Sequence, residues 1–280
     1  MESLFDDVIL TNLLIRLNQN DFFNCKEVCK DFYKAIMNGL KHFDINLSSK
    51  MKEKIIDEHL VGLKGCKSIN LDRTNITDQG LKHLMGTKYL YIAECKNITD
   101  DGLKYFKGSY GTEYLSISLC EQITDKGLEN LYSEIPLKFI SLGYNQNITD
   151  VGLKYLKGVE SIYLKGCHGF TDEGLKYLNT KNLKYINLWK CSQITDKGLE
   201  NLYSENLETI ILSGCSEITD QGLKFMKFVK TIHLTECYKI THKGLKYLEN
   251  IEKIFFSNYH FTVKAIKTLN KINPNVRIYT

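Results

Sequence analysis

Apolar and polar positions recur in one fixed phrase along most of this chain of 280 residues. The phrase is Ile-Thr-Asp-x-Gly-Leu or a close variant, and consecutive copies begin about 21 to 25 residues apart. The last clear copy has His242 in place of Asp, and a more divergent copy begins at Phe261. This self-similarity predicts a linear repeat array. The clear copies begin at Ile76, Ile98, Ile123, Ile148, Phe170, Ile194, Ile218 and Ile240.

A short stretch of alternating apolar residues precedes each copy, as in Ile162-Tyr163-Leu164. Because side chains alternate along a strand, Ile162 and Leu164 are predicted to point into the core and Tyr163 to solvent. A slot residue follows three positions after the second apolar residue, and it is Thr74 in the first repeat and Asn145 in the fourth. In most repeats the slot holds a cysteine that we predict to be a small buried thiol: Cys95, Cys120, Cys167, Cys191, Cys215 and Cys237.

The phrase itself predicts a short helix in every repeat. Its Thr hydroxyl can cap the first turn, and the neighbouring Asp is favoured there by the helix dipole. A Leu-x-x-Leu pair such as Leu175 and Leu178 supplies the inward stripe. The recurring Gly, which disfavours a helix interior, indicates a close backbone approach between stacked units. Strands about 4.8 Å apart beside helices that need roughly 10 Å would bend the array into an arc.

The repeat resembles the cysteine-containing class of leucine-rich repeat, whose pattern is L-x-x-L-x-L-x-x-C/N, over residues 43–280. The resemblance implies an α/β leucine-rich-repeat solenoid with a curved parallel sheet on its concave face and helices on its convex face. It also implies an opening cap repeat at 43–63 and about nine repeats to residue 280.

Residues 1–42 do not follow the repeat, and their pattern predicts three short helices. The first helix ends near Asn18-Gln19-Asn20, Asp21 can cap the second, and Gly39 stops the third. The apolar stripe of the first helix is formed by Val8, Ile9, Leu10, Leu13, Leu14 and Leu17.

This segment resembles an F-box, the motif that docks a receptor onto the Skp1 adaptor of a cullin-RING ubiquitin ligase. The matching residues are Leu4 with Asp6-Asp7, the Asp21-Phe22 pair, and the run from Val28 to Phe32; Phe5 stands where the family usually has Pro. Together with the repeats, the chain is similar to F-box/leucine-rich-repeat proteins. The resemblance implies that Skp1 is bound by Leu4, Phe5, Ile9, Phe22, Val28, Cys29 and Phe32.

That resemblance implies a substrate-recognition subunit of a Skp1–cullin–F-box ligase, with a Skp1-like adaptor, through it a cullin, and a target protein as partners. One alternative is a repeat scaffold unrelated to ubiquitin, whose N-terminal helices only cap the solenoid. Another is an RNA-binding solenoid, which the mild net charge of +4 disfavours. No pattern typical of a catalytic, metal or cofactor site stands in the chain, so we expect no enzyme activity and no cofactor.

Aromatic and cationic residues fill the outward strand positions, and we predict that they form the target-binding face. The competing interpretation is general tyrosine abundance, since the chain has 17 Tyr; Trp189, however, is its only tryptophan and falls at an outward position. The predicted face consists of Tyr89, Tyr91, Tyr114, Phe139, Tyr144, Tyr163, Lys165, Tyr185, Trp189 and Lys190.

Composition adds an expectation about location. The nine cysteines are explained by the repeat better than by a disulfide framework, which favours a reducing compartment. The N-terminus carries Glu2, Asp6 and Asp7 where a secretory signal would have basic residues, and no apolar run approaches the roughly 18 residues of a membrane span. We therefore expect an intracellular protein of the cytoplasm or nucleus.

Overall fold

The structure is a computed structural model that describes residues 44–46, 52, 55–61, 63–107, 111–132, 137–178, 181–256 and 263–279. The whole F-box-like segment lies outside these residues. Its role therefore stays a prediction, as do the Skp1 contacts assigned to Leu4, Phe5, Ile9, Phe22, Val28, Cys29 and Phe32.

The described strands form one sheet of eleven, paired in parallel and ordered as they follow in the chain. One strand per repeat and one neighbour on each side is what a linear array requires. The strands are β1 (Asp44–Asn46), β2 (Ser68–Asn70), β3 (Tyr89–Tyr91), β4 (Tyr114–Ser116), β5 (Phe139–Ser141), β6 (Ser161–Tyr163), β7 (Tyr185–Asn187), β8 (Thr209–Ile211), β9 (Thr231–His233), β10 (Lys253–Phe255) and β11 (Arg277–Tyr279).

Every pairing aligns the same repeat position, so equivalent side chains lie side by side across the sheet. Ile140 of β5 is opposite Ile162 of β6, which is opposite Ile186 of β7, and all three are buried. Leu164 is also buried while Tyr163 is only half-buried, which confirms the predicted alternation. This row of apolar side chains forms a continuous core between the sheet and the helices.

The opposite side of each described repeat carries a short helical segment, which is α-helical, 3-10, or an α-helix continued by a 3-10 turn. The α-helices are α1 (Asp78–Leu81), α2 (Asp125–Leu131), α3 (Asp150–Leu153), α4 (Asp172–Leu175), α5 (Asp196–Asn201) and α6 (Val263–Ile272). The 3-10 turns are Asp57–Leu60, Lys82–Leu84, Gly102–Phe106, Lys154–Leu156, Gly222–Met226 and Gly244–Tyr247. As predicted, the Thr hydroxyl accepts a hydrogen bond from the backbone N–H two residues on, for example from Val151 to Thr149.

The slot cysteines are buried free thiols, as expected. Each donates through Sγ to a backbone carbonyl of the preceding repeat, as Cys191 does to Leu164 at 3.2 Å. Asn145 achieves a similar link with two bonds, accepting from the Cys120 N–H and donating to the Ile117 carbonyl, both at 2.9 Å. A small polar group in this slot therefore ties neighbouring repeats together inside the core.

The recurring Asp of the phrase has a role that helix-dipole reasoning did not predict. Its carboxylate reaches the next repeat and accepts both the backbone N–H and the hydroxyl of the following Thr. The Gly in the next copy of the phrase leaves room for this carboxylate. A Cβ on Gly152, for example, would overlap Oδ1 of Asp125 in the preceding repeat. The carboxylates that bridge in this way are Asp57, Asp78, Asp100, Asp125, Asp150, Asp172, Asp196 and Asp220.

The residue just before each slot is in the left-handed region of backbone space. Glycine adopts this conformation without strain, but only Gly166 and Gly214 occupy it here. The N–H of this residue extends the parallel ladder, as Leu119 does toward the Gly143 carbonyl at 2.9 Å. The other side chains at this turn position are Arg73, Glu94, Leu119, Tyr144, Lys190 and Glu236.

Candidate recognition face

Six of the predicted target-binding residues form one continuous row of rings across β3 to β7, here called the aromatic ladder. Tyr114 stacks on Phe139 with ring centroids 3.8 Å apart, and Tyr163 stacks on Tyr185 at 4.7 Å. Phe139 and Tyr163 join the two stacks at 4.7 Å. Tyr114 and Phe139 are direct partners in the parallel register. The contacts of Tyr163 with Phe139 and with Tyr185 run diagonally, between the first and third positions of adjacent strands. The members of the ladder are Tyr89, Tyr91, Tyr114, Phe139, Tyr163 and Tyr185.

The ladder combines apolar rings with neutral hydroxyl groups. Burial raises the pKa of both Tyr114 and Tyr185 above the ordinary tyrosine value, and neighbouring tyrosines add to the rise. Both hydroxyls therefore stay protonated at neutral pH, and a protonated hydroxyl can donate as well as accept a hydrogen bond. All six rings are half-buried, so each presents part of its surface to solvent.

The four remaining predicted residues form a second group beside the ladder, here called the Trp189 cluster. Trp189 meets Tyr144 edge-on, with ring centroids 6.5 Å apart. The ammonium groups of Lys165 and Lys190 lie 4.1 and 4.3 Å from the centroid of the Trp189 ring. Lys165 is also 5.5 Å from the Tyr144 ring. The ten predicted residues therefore fall into two groups of neighbouring side chains, the aromatic ladder on β3 to β7 and the Trp189 cluster in the turns after β5, β6 and β7.

Toward the C-terminal end, a third group of rings continues the same face. His233 stacks on Phe255 at 3.9 Å, and Phe255 stacks on Tyr279 at 4.3 Å. Burial lowers the pKa of His233, which favours the neutral imidazole. These residues were not among those predicted to bind a target, although the period of two along β9 to β11 places them on the same face.

A row of charges that sequence reasoning missed borders the face at the start of the strands; we call it the edge row. Glu113 pairs with Lys88 at 3.2 Å and with Lys138 at 2.9 Å, and Glu160 pairs with Lys184 at 2.7 Å. From Lys88 onward the sign of the charge alternates between consecutive repeats. The sequence contains this pattern, because the charged residue always directly precedes the strand. The row consists of Lys67, Lys88, Glu113, Lys138, Glu160, Lys184, Glu208, Lys230 and Glu252.

Beside the Trp189 cluster lies an open cavity of about 340 Å³. It is lined by Lys190, Gly214 and Glu236 of the turn position, together with His168, Ser192, Ser216 and Tyr238. Except for Lys190, sequence reasoning gave these residues no role in binding. They follow strands β6 to β9, and only the stacking of these four repeats brings them together.

The described residues contain neither a metal-binding cluster nor a membrane-spanning helix. In that part of the chain, no group of three or more His, Cys, Asp or Glu side chains is placed to hold a metal ion. None of the helices described is long and apolar enough to cross a membrane. Burial also raises the pKa of every slot cysteine, which keeps these thiols in the protonated form that is a poor nucleophile.

Three solved structures are similar to the chain at low sequence identity. A chain of the Rad7 and Elc1 complex in yeast is 13% identical with a TM-score of 0.40, covering 98% of this chain and 91% of that one. The TLR13–ssRNA13 complex is 15% identical with a TM-score of 0.43, covering 78% and 39%. An internalin C2 from Listeria monocytogenes str. 4b F2365 is 21% identical with a TM-score of 0.48, covering 72% and 84%.

The chain matches one family model and no individual curated protein. The family model described as Leucine Rich repeat matches residues 113–131, 135–157 and 203–227. The matched segments follow the same strand-and-helix units that stack along the parallel sheet. The matched repeats are leucine-rich repeats, and the described part of the chain has the leucine-rich-repeat fold.

Proposed function

We propose that this chain is a non-catalytic recognition protein that binds a target protein on the concave face of its repeats. The observation that carries this proposal is the aromatic ladder, in which stacked, half-buried rings run without interruption across five strands. Rigid aromatic side chains supply contact area at little cost in side-chain entropy, and they are enriched among the residues that dominate binding energy.

The ladder also has the mixture of apolar and polar groups expected of a surface that binds a polypeptide. Its protonated tyrosine hydroxyls can donate to backbone carbonyls of a bound segment while the rings cover apolar side chains. The charges of the edge row largely pair with one another, so they leave the ladder as the feature most available to a partner. General tyrosine abundance does not account for a row in which each ring touches the next.

We further propose that the target is presented to a ubiquitin ligase, with residues 1–42 binding a Skp1-like adaptor and through it a cullin. The support is the sequence resemblance of that segment to an F-box and its position directly before cysteine-containing repeats. Holding a target beside the ligase would raise its local concentration without any covalent step by this chain.

The adaptor proposal is tested by calorimetry of the purified full chain with a Skp1-family adaptor. We expect tight binding by the wild type and its loss in the double variant Phe5→Asp, Val28→Asp, because both changes place charge in an apolar contact. Asn18→Asp, a charge change in the predicted break between helices, serves as the control and should bind normally.

No binding by a folded wild-type chain would contradict the adaptor role. Residues 1–42 would then be a cap of the solenoid, and the chain would be an interaction scaffold outside the ubiquitin system. In that case the double variant should lower the thermal midpoint of the repeats, because a cap protects the apolar end of the array.

The target face is tested by placing a photo-crosslinking amino acid at Tyr163 and, in a separate variant, at Tyr177. Tyr177 follows α4 on the other side of the repeat and is 51% exposed. A protein captured from cells at position 163 and absent at 177 is then purified, and its affinity is measured by calorimetry.

The proposal predicts that Tyr163→Ser, Tyr185→Ser weakens this binding strongly, whereas Tyr177→Ser, Tyr203→Ser does not. Both pairs remove two tyrosines, but only the first interrupts the ladder. Equal affinity of the two double variants would contradict recognition by the concave face.

A further inference from the structure

Lys190 has a glycine on each side at the turn position, the residue just before the slot. Gly166 and Gly214, one repeat before and one repeat after Lys190, are the only glycines at this position in the described repeats, and both are in the left-handed region. A Cβ on Gly166 would lie against the Tyr144 ring, and a Cβ on Gly214 would lie 2.9 Å from Cγ of Lys190. The first glycine therefore lets the Tyr144 ring lie against the backbone of the next repeat, and the second lets the Lys190 side chain do the same.

The open space beside Gly214 is the cavity of about 340 Å³. Its lining is rich in hydrogen-bond donors, with the hydroxyls of Ser192, Ser216 and Tyr238, the His168 imidazole and the Lys190 ammonium group. Tyr238 is 70% exposed, so its hydroxyl is free to turn toward a bound group.

Two ammonium groups share the Trp189 ring next to this cavity. Lys165 and Lys190 lie 4.1 and 4.3 Å from its centroid, so their separation cannot exceed the sum of those distances. Within the described part of the chain, neither lysine has a carboxylate at ion-pair distance, whereas Lys88, Lys138, Lys184 and Lys230 of the edge row all do. Nearby like charges repel each other, and an anionic group that contacts both ammonium groups would offset that repulsion.

We propose that Lys165, Trp189, Lys190 and the adjoining cavity form a subsite for an anionic side chain of the target protein, a phosphorylated serine or threonine or a carboxylate. The inference rests on the proposed function and names the chemistry of the segment recognised. Phosphate and carboxylate both match a pair of ammonium groups with hydroxyl donors beside them. Glu236, which also lines the cavity, belongs to the repeat beyond Gly214, so the anion is expected at the Lys190 end.

Trp189 gives a direct readout, because it is the only tryptophan of the chain. The full chain is titrated with three short glycine–serine peptides that differ only in a central phosphoserine, glutamate or serine, and Trp189 fluorescence is followed. We expect saturable changes with the phosphoserine or glutamate peptide, weakened by added salt, and none with the serine peptide. A response to phosphoserine alone would make recognition depend on phosphorylation.

The variant that tests the subsite is Lys165→Met, Lys190→Met, which keeps side-chain length and removes both charges. It should weaken binding of the anionic peptides by roughly tenfold or more. The control is Lys154→Met, Lys246→Met, which removes two lysines that lie over Tyr155 and Tyr247 elsewhere in the repeats. The control should bind as the wild type does, and equal thermal midpoints would show that both variants fold.

Four outcomes would overturn the proposal: no fluorescence change up to millimolar anionic peptide, an equal response to the serine peptide, an equal loss in the control variant, or tighter binding of oligouridylate at the same lysines. The last would indicate a nucleic-acid site. If the Lys165→Met, Lys190→Met variant still bound the captured target normally while the Tyr163→Ser, Tyr185→Ser variant did not, the subsite would be refuted and the proposed function would stand.

Discussion

The carboxylate of Asp125 accepts two hydrogen bonds from Thr149 of the next repeat, from the backbone N–H at 2.8 Å and from the hydroxyl at 2.5 Å. The same hydroxyl accepts the N–H of Val151, the second residue of α3. One carboxylate therefore fixes both the spacing of two repeats and the start of the second helix. The arrangement recurs along the array, so helix capping and repeat stacking are a single network.

Replacing Asp125 with Ala should lower the free energy of unfolding by about 1.5–3 kcal/mol, because hydrogen bonds to a charged acceptor are lost and the Thr149 N–H is left without its partner. The measurement is urea unfolding followed by circular dichroism. The control is Asp101→Ala, which removes an exposed carboxylate whose partner is Lys104 within its own turn. A loss no greater than that of the control would show that the bridge between repeats contributes little.

Gly152→Ala should destabilise the protein although Ala favours helix over Gly by about 0.5–1 kcal/mol. The added Cβ would overlap Asp125 Oδ1, so the carboxylate must move away from Thr149. In the Asp125→Ala background that obstacle is gone, and Gly152→Ala should be neutral or stabilising.

This double-mutant cycle isolates the contact, since the two residues touch and should not be additive. Additive effects, with Gly152→Ala equally destabilising in both backgrounds, would mean that the glycine is needed for another reason than space for the carboxylate.

Stability should fall as pH rises above about 9, and the slot cysteines should cause part of the fall. Burial raises the pKa of Cys167 from 9.0 to about 11 and that of Cys191 to about 12. Above pH 9 the unfolded thiols ionise while the folded ones stay protonated, so this contribution is complete below pH 9 and is lost as pH rises through the folded values.

Tyr114 and Tyr185 act in the same direction, because their pKa values are raised as well. The contribution of one thiol is therefore measured by comparing the wild type with Cys191→Ala in urea unfolding, under reducing conditions, on both sides of pH 9. The variant should lose less stability over that interval. Identical slopes for the two proteins would exclude Cys191 as a source of the pH dependence.

The stacked pair Tyr114 and Phe139 should show a coupling free energy of about 0.5–1.5 kcal/mol in a double-mutant cycle to Ala. Their centroids are only 3.8 Å apart, so removing either ring also removes what the other gains from the stack. The matched control is Tyr114 with Phe255, which belongs to the separate stack with His233. That control pair should be additive, and equal coupling in both cycles would argue against a specific contact.

The sequence could predict which residues share one face of the sheet, because strand alternation and a fixed period decide that without knowledge of side-chain contacts. Tyr163 is half-buried between the buried Ile162 and Leu164, as the alternation predicts. The period does not say how far a side chain reaches across repeats, so the approach of both Lys165 and Lys190 to Trp189 emerged only from the structure.

The bridging role of Asp125 and the left-handed turn at Leu119 could not be predicted for a different reason. Asp beside a capping Thr is fully explained by the helix dipole, so the local sequence contains no sign that the carboxylate bonds the next repeat. Leu119 has no local preference for a positive φ, which costs about 1–2 kcal/mol in an L-residue. Its conformation is imposed by the hydrogen bond from its N–H to the Gly143 carbonyl of the adjacent repeat.

The edge row restricts how this array could have grown. From Lys88 to Glu252 the sign of charge reverses at every repeat, so each side chain has a neighbour of opposite sign. Duplication or loss of a single internal repeat would set two lysines or two glutamates side by side, whereas a change of two repeats would preserve the order. Repeats of this segment are therefore expected to be gained or lost in pairs, because only an even number preserves the alternation of charge.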